Sequence, residues 1–195
     1  MWKLKSVINT PYAYAENIFT DFEMDKLAKL AKTVTAEKAK IGTMPAGETN
    51  LDIRNSAIVW IAAGEETEFA FRKITDVVLE LNRNFYGYDL EEFEDLQYTE
   101  YDAEYKGHYG CHKDVAYDGI MARRKLSFVI QMTEESSYEG GELLLYPDSI
   151  DKHVVAPKKR GTIIVFPSYM LHQITPVTKG IRNSLVSWVH GPAFK

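Results

Sequence analysis

The sequence predicts an α+β fold with a β core: supporting helices in the first half, packed on one sheet of a two-sheet jelly roll or barrel formed by the second half. Three observations carry this. Two stretches before Gly87 place apolar residues at helical spacing. From Glu94 onward, short β-type runs follow one another, most of them separated by Gly, Pro, Asp or Lys. Aromatics make up 12% of the 195 residues, with 12 Tyr and 9 Phe, a content that suits a β-rich core.

Taken in order, residues 1–10 lack the apolar region of a signal peptide. Thr20-Asp-Phe-Glu23 reads as a capping box that opens a helix, followed by Leu27, Leu30, Ala31 and Val34 at helical spacing. Residues 36–50 hold Gly42, Pro45 and Gly47 and read as a mobile loop. Residues 55–63 read as a buried strand. A second helix is expected over 66–85, with Ala70, Ile74, Val77, Val78, Leu81 and Phe85 as its apolar stripe and Gly87 as its stop. Strands are expected at 96–101, 105–109, 126–132, 142–146, 153–156, 162–166, 172–176 and 184–190. Residues 89–104 carry eight acids and no Lys or Arg and read as a solvated face. The chain is expected to form one domain, with 1–93 as a support segment and 94–195 as the β core.

Composition excludes several classes. Hydrophobic residues are 45% and charged residues 26%, so the chain is neither disordered nor a coiled-coil rod. The net charge of −5 gives no general grip on nucleic acid. The longest apolar run, residues 57–63, falls far short of the roughly 20 residues that a membrane span needs. One cysteine excludes an internal disulfide and favours a reducing compartment. The expectation is a soluble cytoplasmic protein, a monomer or weak homodimer.

Candidate chemistry starts with the histidines. In His112-Lys-Asp114, strand alternation puts an imidazole and a carboxylate on one face, about 6–7 Å apart along the chain. Both can converge on one ion if a third ligand comes from a distant strand. His172 fits, following the apolar strand at 162–166 and the turn Pro167-Ser168. Two His and one Asp leave three adjacent positions open on an octahedral metal, the facial triad of non-haem Fe(II) oxygenases. Ten residues later, alternation puts Arg182 and Ser184 on one face of the last long strand. A buried guanidinium needs an anion and grips a carboxylate with two parallel N–H bonds. His108 and His112 have the spacing of a helical zinc pair, but Gly107 and Gly110 break a helix, and Tyr109 stands where a metalloprotease needs Glu. Cys111 alternates with His112 and reads as an inert buried thiol facing away from the metal.

These motifs stand in a recognisable order: Gln97-Tyr, Gly107-His-Tyr-Gly-Cys-His112-Lys-Asp114, Arg124-Lys-Leu-Ser127, Gly140-Gly-Glu-Leu143, Arg160-Gly161, Val165-Phe-Pro167, His172-Gln-Ile-Thr-Pro-Val177, Gly180-Ile-Arg182 and Trp188. As a set, spanning 97–192, they resemble the prolyl 4-hydroxylase branch of the 2-oxoglutarate/Fe(II) dioxygenases, both the PKHD-type hydroxylases and the prolyl hydroxylases of oxygen sensing. Asp52-Ile-Arg-Asn-Ser56 is similar to the Arg-x-Ser segment of prolyl hydroxylases.

The resemblance implies a double-stranded β-helix with N-terminal supporting helices. It implies Fe(II) on His112, Asp114 and His172, and the C5 carboxylate of 2-oxoglutarate on Arg182, assisted by Ser184 and Tyr101. Tyr109 would line the same region, Leu143 and Val186 would wall the pocket, and Trp188 would sit near the metal. The implied reaction consumes 2-oxoglutarate and O2, releases succinate and hydroxylates a prolyl residue of a protein or peptide, with ascorbate a candidate accessory reductant. A peptide would lie between residues 50–60 and the loop 115–124. Trp60 and Tyr117 are candidate platforms for a proline ring, and Arg54 and Arg124 are candidate donors to its backbone, although Trp60 and Trp188 also read as plain core aromatics. The same chemistry on a free amino acid or other small molecule, and a non-catalytic jelly-roll binding module, are the alternatives.

Two departures stand out. Gln131-Met-Thr133 replaces the Tyr-Leu-Asn of many prolyl hydroxylases, removing a pocket hydroxyl. Trp188 occupies the place of the second arginine of nucleic-acid dealkylating relatives, which argues against a nucleic-acid substrate.

Overall fold

The structure, a computed structural model, describes residues 10–34, 37–38 and 50–193. Residues 1–9, most of the expected loop at 36–50, and the last two residues lie outside the described residues.

The N-terminal elements are β1 (Ala13–Ala15), α1 (Asp21–Thr33), β2 (Glu37–Lys38), β3 (Arg54–Asn55), β4 (Ala57–Ile61) and α2 (Glu68–Leu81). The capping box forms as read: Thr20 Oγ1 accepts from Glu23 N, and Glu23 Oε2 accepts from Thr20 N at 2.8 Å. The second helix is shorter than expected. It gives way at Asn82 to a π-helical turn, Asn82–Tyr86, stopped by Gly87 in the left-handed region at φ 71°. The buried Asn82 side chain drives this ending, bonding both the carbonyl and the N–H of Tyr88. The strand expected at 55–63 is two strands in different sheets. Part of the expected 36–50 loop, Glu37–Lys38, pairs with β4.

The remaining strands are β5 (Glu92–Phe93), β6 (Leu96–Asp102), β7 (His108–His112), β8 (Arg124–Gln131), β9 (Glu139–Gly140), β10 (Leu143–Ser149), β11 (Lys152–Val155), β12 (Ile163–Pro167), β13 (Leu171–Ile174), β14 (Val177–Lys179) and β15 (Ile181–His190). They form an eight-stranded sheet in the order β1-β12-β8-β15-β6-β4-β2, with β5 on β15, and a five-stranded sheet in the order β11-β10-β13-β7-β3. The pairings are antiparallel, and β9 and β14 form a small separate ribbon.

The expected strand at 105–109 is a correction. A 3₁₀ turn, Ala103–Tyr105, and Lys106 at φ 51° reverse the chain before β7 begins at His108. A Cβ at Gly107 would lie 2.7 Å from Asp102 N, so this tight reversal requires glycine. It carries the chain from the larger sheet to the smaller.

Alternation along β8 sets the layers. Phe128 and Ile130 join Met24, Leu27, Ile74 and Val78 in a core between the larger sheet and the helices. Val129, with Tyr101, Phe166, Leu143, Leu145 and Ile174, packs between the two sheets. This is the jelly-roll architecture with helices on one sheet. The space left between the sheets holds the candidate site.

Candidate metal centre and anion pocket

In the smaller sheet, β13 lies beside β7 with His172 directly opposite His112. That register brings together two histidines far apart in sequence. Asp114 follows β7 and is tied by its N–H to the Ser168 carbonyl at 3.0 Å. His112 Nε2 lies 3.5 Å from Asp114 Oδ1, and His172 Nε2 lies 3.4 Å from Asp114 Oδ2. The three ligand atoms all fall within 4.8 Å of one another.

The rings are aimed by their other nitrogens. His112 Nδ1 donates to the Gly110 carbonyl at 2.8 Å, and His172 Nδ1 donates to the Met170 carbonyl at 2.9 Å. Each bond fixes the tautomer that leaves Nε2 as a lone-pair donor toward the centre. Tyr109 stacks on His112 with ring centroids 3.5 Å apart, and Phe166 packs edge-on to His172. Ser127 Oγ donates to Asp114 Oδ2 at 2.7 Å and lies 3.0 Å from Ser168 Oγ. Burial alone would raise the Asp114 pKa. The two imidazoles and the Ser127 hydroxyl outweigh it and hold the carboxyl well below the usual carboxylate range. Burial pushes His172 down to about 4, against the pull of Asp114, so the imidazole is neutral at pH 7. A carboxylate and neutral imidazoles are the protonation states that a divalent metal takes, and the two-nitrogen, one-oxygen donor set suits non-haem Fe(II).

The triad lies in the wall of a cavity of about 820 Å³. Tyr101, Tyr109, Leu143, Ser184, Val186 and Trp188, which the family resemblance assigns to the pocket, also line it. Arg182 is wholly buried beside it. Its Nη1 lies 3.4 Å from Ser184 Oγ, and its guanidinium lies 5.4 Å from the centre of the Tyr101 ring. Nη2 donates to Gln131 Oε1 at 3.0 Å, and Nε has no partner among the described residues. Among the described residues no carboxylate lies within ion-pair distance of Arg182. A buried cation whose hydrogen-bond partners are neutral acceptors fits a carboxylate ligand.

The four candidate substrate residues divide. Trp60 stands half-exposed at the mouth, its ring 6.3 Å from that of Trp188. Arg54 is buried, with Nε donating to Ser56 Oγ and Nη2 to Gln97 Oε1, and lies over the Tyr109 ring. Arg124 is engaged within the protein. It grips both Glu94 carboxylate oxygens at 2.7 and 2.8 Å, donates to the Asp114 carbonyl and covers the Trp188 ring at 3.9 Å. Tyr117 is fully exposed and contributes nothing to the cavity wall.

Two further readings are corrected. Cys111 is exposed, at the cavity's lining, because the helices pack on the larger sheet and leave this position of the smaller one uncovered. Glu94, from the acid-rich stretch read as a solvated face, turns inward to Arg124 and to the buried His190, 2.8 Å from Glu94 Oε1. Residues unassigned from the sequence are Ser127 and Ser168 behind Asp114, Gln131 on Arg182, and Glu94 and His190 behind Arg124. Alternation along β8 was the available signal for Ser127 and Gln131, which share the cavity-facing side with Val129.

Residues 96–190 match the 2OG-Fe(II) oxygenase superfamily. That segment contains the triad, Arg182 and the cavity strands from β6 to β15. A PKHD-type hydroxylase from Synechococcus sp. (strain CC9311) is 40% identical over 86 residues, 44% of this chain and 38% of that protein. Another, from Picosynechococcus sp., is 41% identical over 81 residues, 42% of this chain and 36% of that protein. The matched stretch thus spans well under half the length of these curated relatives. Among solved structures, a Pseudomonas putida prolyl-4-hydroxylase superposes with a TM-score of 0.72 at 20% identity, covering 94% of both chains. A Trichoplax adhaerens prolyl hydroxylase in complex with a hypoxia-inducible-factor peptide superposes with a TM-score of 0.75 at 16% identity, covering 92% of this chain and 83% of that one. These two likenesses establish the oxygenase fold over nearly the whole chain, including the N-terminal support that the superfamily match does not reach. Among the described residues no helix is long and apolar enough to cross a membrane.

Proposed function

We propose that the protein is an Fe(II)- and 2-oxoglutarate-dependent dioxygenase that hydroxylates a prolyl residue in a protein or peptide. The observation that carries this is the pairing of a two-histidine, one-carboxylate cluster in a cavity wall with a wholly buried arginine that lacks a counter-ion among the described residues and lies against Ser184 and Tyr101 of the same wall. His112, Asp114 and His172 would hold Fe(II), and Arg182 with Ser184 would hold the C5 carboxylate of 2-oxoglutarate, with Tyr101 beside them. Bound Fe(II) with 2-oxoglutarate and O2 supplies the oxidising power for C–H hydroxylation, with release of succinate and CO2. The chain's own residues supply binding, orientation and a dry cavity: Arg182 fixes one end of the co-substrate, and Leu143, Val186 and Phe166 exclude water around it.

The prolyl substrate is supported by the curated PKHD-type relatives and the prolyl hydroxylase neighbours, and by an apolar mouth where Ile53 and Trp60 stand partly exposed. Trp60 is the platform we favour for the proline ring, with residues 50–60 as one wall. Arg54 stays in the substrate wall through its stack on Tyr109. We place the enzyme in the reducing cytoplasm as a monomer or weak homodimer, with ascorbate as accessory reductant. The same chemistry on a free amino acid is the second reading, favoured by a cavity size typical of small-molecule sites.

The test measures succinate release with Fe(II) and 2-oxoglutarate, with a proline-containing peptide library in one arm and free amino acids in the other. Mass spectrometry then seeks a gain of one oxygen on proline. Peptide-dependent succinate with oxidised proline supports the proposal. Succinate coupled only to a free amino acid moves the function to the second reading. Absence of 2-oxoglutarate binding to the metal-loaded protein rejects both.

A further inference from the structure

Arg182 is fixed by visible hydrogen bonds at its Nη atoms only. Nη2 meets Gln131 and Nη1 meets Ser184, while Nε is buried with no partner among the described residues. A second buried polar atom with no partner belongs to Tyr138, whose hydroxyl is sealed inside a side chain only 4% exposed. The two side chains meet over Gly141. A Cβ there would lie 2.8 Å from Arg182 Cδ and 3.4 Å from Tyr138 Cε2. Gly141 also sits at φ 61°, so its backbone and its surroundings both call for glycine. The phenol ring and the Cδ end of the arginine, the end the other hydrogen bonds leave free, thus both lie against Gly141. Burial raises the Tyr138 pKa, and the charge of Arg182 pulls it back down.

Tyr138 is itself held. Lys158 Nζ stands 4.4 Å over its ring and donates to the Gly140 carbonyl at 3.1 Å. The turn into β15 packs on the backbone behind it, where a Cβ at Gly180 would meet the Ser137 carbonyl oxygen at 2.3 Å.

We propose that Tyr138 is a positioning residue for Arg182: in the co-substrate complex its phenol oxygen receives Nε–H, fixes the plane of the guanidinium and so sets the affinity for the far carboxylate of the co-substrate. A phenol suits this work because it is an acceptor without charge. A carboxylate there would orient the arginine but neutralise it and compete with the incoming anion.

The inference rests on the co-substrate reading above, and its test separates the two. Binding of 2-oxoglutarate to Mn(II)-loaded protein is titrated by calorimetry for wild type, Tyr138→Phe, Arg182→Ala and Lys158→Met, with Mn(II) affinity measured alongside. Tyr138→Phe keeps the ring and its packing. It is expected to weaken 2-oxoglutarate binding about tenfold, the scale of one lost hydrogen bond to a charged group, with Mn(II) affinity unchanged. In turnover, the apparent KM should rise by the same factor while kcat stays within about twofold. Lys158→Met, which leaves the hydroxyl, should change the affinity less than about twofold. Unchanged 2-oxoglutarate affinity in Tyr138→Phe with a loss in Arg182→Ala overturns the role of Tyr138 alone. No loss in Arg182→Ala overturns the co-substrate reading itself. Equal losses in Tyr138→Phe and Lys158→Met assign the effect to ring packing and overturn the role of the hydroxyl.

Discussion

Arg182 has no exposed surface and no carboxylate partner among the described residues, an arrangement that costs stability in the absence of a ligand. Stripping water from a cation costs several kcal/mol, and two neutral acceptors return only part of it. Arg182→Met keeps the volume and removes the charge. The ligand-free variant should therefore melt at or above the wild-type temperature while 2-oxoglutarate affinity falls by about two orders of magnitude or more. A lower melting temperature with intact co-substrate binding would mark a structural arginine instead. Asp114 obeys the opposite logic, since without it two imidazoles hold Fe(II) poorly. Asp114→Ala should abolish metal binding by calorimetry and turnover with it. Behind it, Ser127→Ala removes a 2.7 Å donor to Oδ2 and should weaken metal binding about tenfold, as losses of outer hydrogen bonds around metal ligands do. An unchanged metal affinity in Ser127→Ala would show that Asp114 is oriented by its backbone bond to Ser168 instead.

Elements differ in how far their sequence reveals them. The capping box of α1 was legible because all its partners lie within four residues. Thr20→Ala should cost about 1 kcal/mol in chemical denaturation and leave metal affinity untouched, since α1 packs on the sheet face away from the site. The reversal at 103–107 was not legible. Tyr105 and Tyr109 carry strand propensity, and nothing local announces that Lys106 adopts positive φ or that Asp102 N stands 2.7 Å from a Cβ at 107. Gly107→Val should accordingly destabilise the protein by more than about 2 kcal/mol and displace β7, weakening metal binding through His112. The triad could be read because strand alternation relates 112 to 114, whereas the pairing of His172 with His112 needed the register of β13 on β7. Gln131 and Tyr138 were missed for the same reason: their partner Arg182 is distant in the chain, and only the folded sheets bring them to it. Glu94 was misjudged because an acid-rich stretch usually faces water, and only Arg124 and His190 reveal its inward turn.

Across the whole molecule the two halves of the site hang on different sheets. The metal ligands belong to the smaller sheet, on β7, the turn after it and β13; Arg182 and Tyr101 belong to the larger one, on β15 and β6. A ligand that chelates the metal at one end and meets the guanidinium at the other must therefore bridge the sandwich, and binding to the native state alone adds stability by mass action. At a free concentration about 100 times its Kd, each ligand should contribute roughly 2.7 kcal/mol, which for a chain of this size is about 5–10 °C in melting temperature. Mn(II) should give the first increment, 2-oxoglutarate added to the Mn(II) form should give a second, and EDTA should reverse both. In Arg182→Met the first increment should survive and the second vanish. Loss of both increments together would mean that Arg182 supports the metal ligands across the interface between the sheets. Retention of both would mean that the co-substrate never reaches the larger sheet.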